Sequence, residues 1–474
     1  MTLDERLIKT VPTPRQVEHQ QTEFYGFIHF TVNTFTDREW GDGTEDPVIF
    51  NPVKLDTDQW AKSFKAAKMK GMILTCKHHD GFCLWPSRFT EHSVKNSPYK
   101  NGNGDIVKEA TDSCRKYGLK FGIYLSPWDR HCPLYGKGKE YDDYFVSQLT
   151  ELLTQYGELF TVWFDGACGE GPNGKKQVYD WQRYYDVIRK TQPNACIAVC
   201  GPDVRWCGNE AGHTRPSEWS VVPGRLVDAE KTAENSQKED DAEFRTRIIK
   251  SSDIDLGSRE VMAGEDNFVW YPAEVNTSIR PGWFWHKSEN DKVRPLDDLI
   301  KIYYNSVGGN ATFLLNVPPT NEGILHENDV KRLEEIGDYL KKSFSNNLLK
   351  SAVITADSES PDHPISSVLI DNYDIFYSPK EGVVNPVITI KFDSPIYLGN
   401  IVLKENILYS QRIESFSIDI NESGILKNCY NGTVIGYKRI VKMNGVKTDC
   451  IRIRITDSRK EPTLAFIGIY SENE

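Results

Sequence analysis

Apolar runs and segments with helical periodicity alternate along the chain from Phe24 to about Ser343. Five of the apolar runs are typical of strands buried on both faces, namely 24–32, 72–79, 119–128, 159–166 and 195–202. The amphipathic segments between them predict helices at 56–71, 106–118, 142–157 and 178–193. Strands that alternate with helices pair in parallel through right-handed crossovers, so these units predict an α/β fold of the (β/α)8-barrel type.

The pattern is less regular after residue 203. Candidate strands lie at 267–276, 282–286 and 310–319, and candidate helices at 295–307 and 326–344. The charged segment 227–247 is expected to be a solvated loop or a surface helix. Beyond about Asn347 the apolar residues recur at period two without intervening helices, which indicates an antiparallel β-sandwich of about 125 residues. We therefore expect two domains, 1–345 and 346–474.

Composition narrows the range of partners. A net charge of −11 argues against nucleic acid and anionic membranes, because both require a basic face. No run approaches the ~20 apolar residues of a membrane helix. The ten cysteines form no CxxC motif and no dense framework, and we expect most of them to be buried free thiols.

Polar residues that follow the apolar runs are the candidates for chemistry, since barrel enzymes place catalytic groups at the carboxyl ends of the strands. Asp165 gives the clearest signal, because it follows Val162, Trp163 and Phe164 directly and is costly to bury unless it is paired or functional. The other strand-end candidates are His29, His78, His79, Asp80, Tyr124, the segment 126–131 and the loop 206–219.

A pair of carboxylates suits glycosyl transfer, in which one attacks the anomeric carbon and the other protonates the leaving oxygen. The second carboxylate is Glu210 or Glu218, and Glu210 is preferred because its glycine-flanked loop follows the strand next to that of Asp165. Glu218 lies in SEWSVV, which has the pattern of the start of another strand.

The motifs FIHF, CKHHDGFCLW, GIYLSPWD and VWFDG, followed by a GNE loop, resemble a retaining α-L-fucosidase of glycoside hydrolase family 29 over about the first 345 residues. The segments SPWDR, GPDVRWCGNE, RPGWFWH and NVPPTNEG are similar to the subgroup that prefers α-1,3/1,4-linked fucose in branched Lewis-type glycans. The last domain resembles a discoidin-type or carbohydrate-binding-module-like sandwich. We expect it to buttress the barrel rather than to bind sugar.

The resemblance implies a double displacement with Asp165 as nucleophile and Glu210 as general acid/base, in an apolar environment supplied by Trp206 and Trp219. It implies further that the fucose is held by His29, Trp40, Glu45, His78, His79, Tyr124 and Trp163. Asp42 or Asp46 could replace Glu45. Trp283 or Trp285 would face the C6 methyl, Asp129 and Arg130 would lie near the leaving-group sugar, and Arg205 would steady a carboxylate or contact the ligand.

Three other functions compete with this one. Strand-end histidines with Asp80 and Asp165 could form a metal hydrolase, although adjacent histidines on a strand point in opposite directions. A non-catalytic glycan-binding protein and a retaining glycosidase for another sugar, such as α-galactose, are the others.

We expect no metal and no cofactor, a fucosylated glycan as partner, and a secreted or periplasmic location without a signal peptide in this chain. Asp80 either orients a histidine or shapes the turn before Gly81.

Overall fold

The computed structural model describes residues 1–228, 232 and 254–472. Eight strands form the first sheet, in which every pairing is parallel. They are β1 Phe24–Ile28, β2 Gly71–Lys77, β3 Lys120–Leu125, β4 Thr161–Phe164, β5 Cys196–Val199, β6 Arg205–Trp206, β9 Ala273–Ser278 and β10 Ala311–Asn316. Their order is β5-β4-β3-β2-β1-β10-β9-β6, and a single parallel bridge between Ala198 and Val204 brings β5 next to β6. The sheet is therefore a nearly closed barrel, as predicted.

Ten α-helices lie in the described residues, and several of them pack against the barrel strands. They are α1 Leu3–Leu7, α2 Pro14–Thr22, α3 Asn33–Thr36, α4 Thr57–Ala66, α5 Ile106–Tyr117, α6 Lys139–Gln155, α7 Trp181–Thr191, α8 Arg259–Met262, α9 Leu296–Ser306 and α10 Glu327–Phe344. Asp56, Asp105 and Asp180 each cap a helix by accepting a hydrogen bond from a backbone N–H of its first turn. These caps fix where α4, α5 and α7 begin.

The C-terminal part is an antiparallel sheet with a hydrophobic core of its own. Its strands are β11 Val353–Ala356, β12 Val387–Glu405, β13 Ile413–Glu422, β14 Ile425–Gly432, β15 Arg439–Ser458 and β16 Leu464–Ser471. Bulges interrupt the pairing of the two long strands β12 and β15 between Lys391 and Ile396 and between Leu398 and Asn400. The first part of β12 also pairs with β11, and its last part also pairs with β16. The predicted fold class, a barrel followed by an antiparallel sheet domain, is confirmed.

Three expectations from the sequence need correction or fall outside the described residues. The segment 282–286 is not a strand but a loop that follows β9. The candidate strand 267–276 divides between two sheets, because β8 Phe268–Trp270 pairs with β7 Val221–Pro223 in a separate two-stranded sheet, whereas β9 begins at Ala273. The sixth barrel strand is Arg205–Trp206. Most of the charged segment 227–247 lies outside the described residues. None of the helices in the described ranges is long and apolar enough to span a membrane.

Candidate active site

A pocket with about 570 Å³ of open volume lies at the carboxyl ends of the barrel strands. Nine of the side chains predicted from the sequence line it: His29, Trp40, His78, His79, Trp163, Asp165, Trp206, Glu210 and Trp283. Phe27 and Trp163 belong to strands and form its floor. Val199, Trp206 and Asn276 also lie in strands, and the other residues come from the loops that follow the strands. The fold thus brings together residues that are up to about 250 positions apart in the sequence.

Asp165 leaves the end of β4 and is held in one orientation. Its Oδ2 atom accepts a hydrogen bond from the Tyr124 hydroxyl at 2.8 Å, and its Oδ1 atom accepts one from the backbone N–H of Ala167 at 2.8 Å. Burial, and then the neighbouring carboxylate, raises the pKa of Tyr124 well above its usual value, so the phenol stays protonated and donates. The Asp165 side chain is 22% exposed, which leaves part of the carboxylate open to a ligand.

The hydrogen-bond partners of His29 and His79 determine which ring nitrogen of each histidine carries the proton. The Asn316 amide nitrogen donates to Ser278 Oγ and to the Trp283 carbonyl, so Asn316 Oδ1 must accept from His29 Nδ1 at 2.8 Å. Ser126 donates its hydroxyl proton to the Trp128 carbonyl and therefore accepts from His79 Nδ1 at 2.7 Å. In both neutral rings the Nε2 atom is then a bare acceptor.

Burial, above all, lowers the pKa of His29 and of His79 to about 4, so both rings are neutral at neutral pH. His79 Nε2 lies 3.9 Å from Asp165 Oδ2. A sugar hydroxyl placed in this corner of the pocket can donate to a histidine nitrogen, because that nitrogen holds a lone pair and no proton.

His78 and His79 do not point in opposite directions, contrary to the expectation from a strand. β2 ends at Lys77, so both histidines lie in the turn beyond it, with ring centroids 4.0 Å apart and both rings at the pocket. Asp80 shapes that turn, since it accepts hydrogen bonds from the Thr31 hydroxyl and from the backbone N–H of Phe82. In the described parts of the chain no three His, Cys, Asp or Glu side chains come together in a group that could hold a metal ion.

The two candidate acid/base residues lie in different environments. Glu210 faces the pocket, where its Oε2 atom accepts a hydrogen bond from the indole Nε1 of Trp283 at 2.9 Å. Glu218 is fully buried away from the pocket and pairs with Arg205 at 2.6 Å and with Arg215 at 3.4 Å. Burial opposes ionisation of Glu218, but the two arginines outweigh it and lower its pKa. The structure therefore places Glu210, and not Glu218, where a sugar could reach it.

Five residues predicted to contact or surround the sugar are engaged elsewhere. Glu45 is buried and accepts hydrogen bonds from the backbone of residues 42 and 43. Asp129 is 1% exposed and forms an ion pair with the equally buried Lys77 at 2.9 Å, so it stabilises the loop after β3 instead of meeting a leaving group. Arg205 steadies a carboxylate, but that carboxylate is Glu218.

The remaining two corrections concern tryptophans. Trp285 donates its indole N–H to Asn290 at 3.0 Å and packs away from the pocket, so only Trp283 of the GWFWH segment reaches it. Trp219 is buried against the C-terminal domain, with the guanidinium of Arg459 4.7 Å above its ring. Of the two tryptophans expected around Glu210, Trp206 alone lines the pocket.

Glu39 and Asn276 also line the pocket, although neither is among the residues predicted from the sequence. Glu39 precedes Trp40 in a loop that α3 separates from the end of β1, so it does not follow an apolar run. Asn276 lies inside β9, where its Oδ1 atom accepts a hydrogen bond from Trp206 Nε1 at 3.0 Å. A polar residue within an otherwise buried strand was the available signal for Asn276.

Glu274 lies in the barrel interior beneath the pocket floor. It accepts hydrogen bonds from Trp163 Nε1 at 2.7 Å and from the Tyr25 hydroxyl, and the Tyr25 oxygen is 3.1 Å from His19 Nε2. Because it is wholly buried, the pKa of Glu274 is raised to about 7. A buried carboxyl group thus fixes the tryptophan that forms the floor of the site.

The model of the family described as "Alpha-L-fucosidase" matches residues 9–344, which is the whole barrel from α2 to the end of α10. The chain belongs to the α-L-fucosidase family, glycoside hydrolase family 29. It is therefore a glycosidase that acts on fucose-bearing substrates, and the predictions of enzyme class and family are confirmed.

Known α-L-fucosidases resemble this chain over almost its full length. Alpha-L-fucosidase 1 of Arabidopsis thaliana is 38% identical over 98% of this chain and 88% of that protein. A Ruminococcus gnavus GH29 fucosidase, solved in complex with fucose, superimposes with a TM-score of 0.85 at 30% identity and covers 98% of this chain and 95% of its own. A glycoside hydrolase 29 family member from an unknown rumen bacterium gives a TM-score of 0.80 at 37% identity over 98% of this chain and 78% of its own. The C-terminal sheet domain is therefore shared with fucosidases as well as the barrel.

Proposed function

We propose that this enzyme is a retaining exo-α-L-fucosidase that releases α-1,3/1,4-linked terminal fucose from branched Lewis-type glycans. The observation that carries the proposal is the placement of Asp165 and Glu210 in one pocket whose floor is closed by Phe27 and Trp163. A closed floor admits the end of a sugar chain and not its middle. The linkage preference is supported by the SPWDR, GPDVRWCGNE, RPGWFWH and NVPPTNEG segments, which resemble that subgroup.

In the first step an Asp165 oxygen attacks the anomeric carbon, and the bond between that carbon and the glycosidic oxygen breaks. Glu210 gives its proton to the departing oxygen, which leaves a covalent fucosyl ester on Asp165. In the second step Glu210, now a carboxylate, takes a proton from water, and the water oxygen displaces Asp165 from the anomeric carbon. Because each step inverts the anomeric carbon, the released fucose has the original configuration. Asp165 is again a carboxylate and Glu210 is again protonated.

Recognition of the sugar follows from the hydrogen-bonding state of the pocket. The bare Nε2 atoms of His29 and His79 accept hydrogen bonds from fucose hydroxyls. The indole faces of Trp163 and Trp283 provide apolar surface for the ring and for the C6 methyl that distinguishes fucose from galactose. Galactose would bring a hydroxyl to that apolar surface without a hydrogen-bond partner, which favours fucose.

Proton NMR of the reaction mixture tests the mechanism. The proposal predicts that α-L-fucose appears first and then mutarotates, whereas β-L-fucose as the first product would show inversion and overturn it. Linkage preference is tested on fucosylated trisaccharides that carry an α-1,3 or α-1,4 branch, with an α-1,2-linked fucosyl disaccharide as the matched control. Faster release from the α-1,2 compound would contradict the proposed specificity.

A further inference from the structure

A buried carboxylate ties together two loops on the rim of the pocket. Glu39 is 8% exposed and accepts hydrogen bonds from the backbone N–H groups of Trp283 at 2.8 Å and of Phe284 at 3.1 Å. At Gly282, a Cβ atom would lie 2.3 Å from the Glu39 Oε1 atom. A glycine at this position therefore allows the 282–286 loop to approach the carboxylate.

His286 meets the same carboxylate from the outer side of the loop. Its Nε2 atom lies 2.7 Å from Glu39 Oε1, and its Nδ1 atom lies 2.7 Å from Asp37 Oδ1. Because carboxylates only accept, both ring nitrogens must carry protons and the ring is an imidazolium. The hydrogen bond to Glu39 is the largest cause that raises the pKa of His286 to about 9; partial burial opposes it, and Asp37 and Glu289 add to it. His286 is thus a cation that compensates the buried charge of Glu39 at neutral pH.

The loop that Glu39 holds carries the hydrogen-bond donor to the candidate acid/base. The indole Nε1 of Trp283 donates to Glu210 Oε2 at 2.9 Å, and its ring centroid lies 5.0 Å from that of His29. We propose that His286 is a positioning residue that acts through Glu39 and Trp283 to hold Glu210 in place for proton transfer. This inference rests on the acid/base role proposed for Glu210. Proton transfer from a well-placed acid accelerates such a reaction roughly 10²–10⁴-fold. A displacement of the acid by a fraction of a bond length removes part of that acceleration.

The test compares two substrates that differ in their need for the acid. The 4-nitrophenyl group of an aryl α-L-fucoside departs readily without protonation, whereas the unsubstituted phenyl group requires it. We expect His286→Ala to lower kcat/KM about tenfold or more on phenyl fucoside and less than about threefold on 4-nitrophenyl fucoside.

Two conservative variants sharpen the comparison. The amide nitrogen of His286→Gln can still donate to Glu39, so this variant should recover most of the activity lost in His286→Ala. Asp37→Asn keeps the bond between His286 and Glu39 and lies on the exposed side of the ring, so it should stay close to wild type on both substrates.

Several results would overturn the proposal. They are equal losses of His286→Ala on the two substrates, no loss at all, or no recovery in His286→Gln. Thermal unfolding of each variant is recorded as well, because a purely structural defect lowers activity on both substrates alike. Glu210→Gln is measured in parallel. If that variant shows no dependence on the leaving group, the acid/base role and with it this inference fail. If Glu210→Gln is leaving-group dependent and His286→Ala is not, the role of His286 alone is wrong.

Discussion

Replacing Glu274 by glutamine tests whether a protonated carboxyl group lies under the active-site floor. The substitution preserves the local hydrogen bonds, because a glutamine Oε1 still accepts from Trp163 and its amide nitrogen can donate to the Tyr25 oxygen. The Tyr25 hydroxyl can then donate to Thr312, 3.0 Å away. What the substitution removes is the cost of ionising a group that has no water around it.

The size of the effect follows from the difference between the folded and unfolded states. Burial raises the pKa of Glu274 from 4.5 to about 7, so the folded protein binds this proton more tightly than the unfolded chain does. The contribution of this proton to the free energy of unfolding is fully present below pH 4.5 and is lost as the pH rises through about 7. At about 1.4 kcal/mol for each pH unit, the loss amounts to about 3 kcal/mol.

Urea unfolding followed by tryptophan fluorescence measures this loss at about pH 4.5 and about pH 8. The free energy of unfolding of Glu274→Gln minus that of the wild type should increase by about 3 kcal/mol between the two values. Glu334→Gln, at an exposed position on α10, is the matched control and should show no such change. A constant difference between Glu274→Gln and wild type would contradict the prediction, since the carboxyl group of Glu274 would then ionise as readily in the folded protein as in the unfolded chain.

Asp165→Asn should lower kcat by about 10³-fold or more while the far-UV circular dichroism spectrum and fucose binding are retained; turnover near the wild-type rate would contradict its role as nucleophile. Glu210→Gln should slow phenyl fucoside far more than 4-nitrophenyl fucoside, whereas Glu218→Gln should lower Tm without that selectivity, and the reverse pattern would assign the acid to Glu218. Lys77→Met should cost about 3–5 kcal/mol in denaturant unfolding by leaving the charge of Asp129 unpaired, with KM for fucosides unchanged; an altered KM would restore Asp129 as a sugar contact.

Residues that directly follow a buried apolar strand were predictable, because the apolar run locates the strand and barrel enzymes place their catalytic groups at the carboxyl ends of the strands. Asp165, His29 and the His78–His79 pair were found in this way. The sixth strand was missed for a physical reason. Arg205–Trp206 has two residues and no apolar run, and it exists because β9 pairs with it.

Loop residues were harder to place, since their positions depend on partners far along the chain. Glu45 was expected at the sugar, but Glu39 occupies the pocket wall because its carboxylate binds a loop about 245 residues away. Asp129 has the local sequence of a site residue, yet it pairs with Lys77, 52 positions earlier, inside the protein. No periodicity reveals such a pairing. Periodicity gave the positions of the pocket residues. Their expected roles came from the resemblance to a family.

The proposed mechanism requires that Asp165 becomes covalently bonded to fucose. The enzyme is incubated with a 2-deoxy-2-fluoro fucosyl fluoride. The fluorine at C2 slows hydrolysis of the covalent intermediate, so the adduct accumulates, and peptide mapping by mass spectrometry then locates it. The proposal predicts one fluorofucosyl group per chain, on the peptide that contains VWFDG and on the Asp165 side chain. An adduct on Glu210 or on any other carboxylate would contradict it.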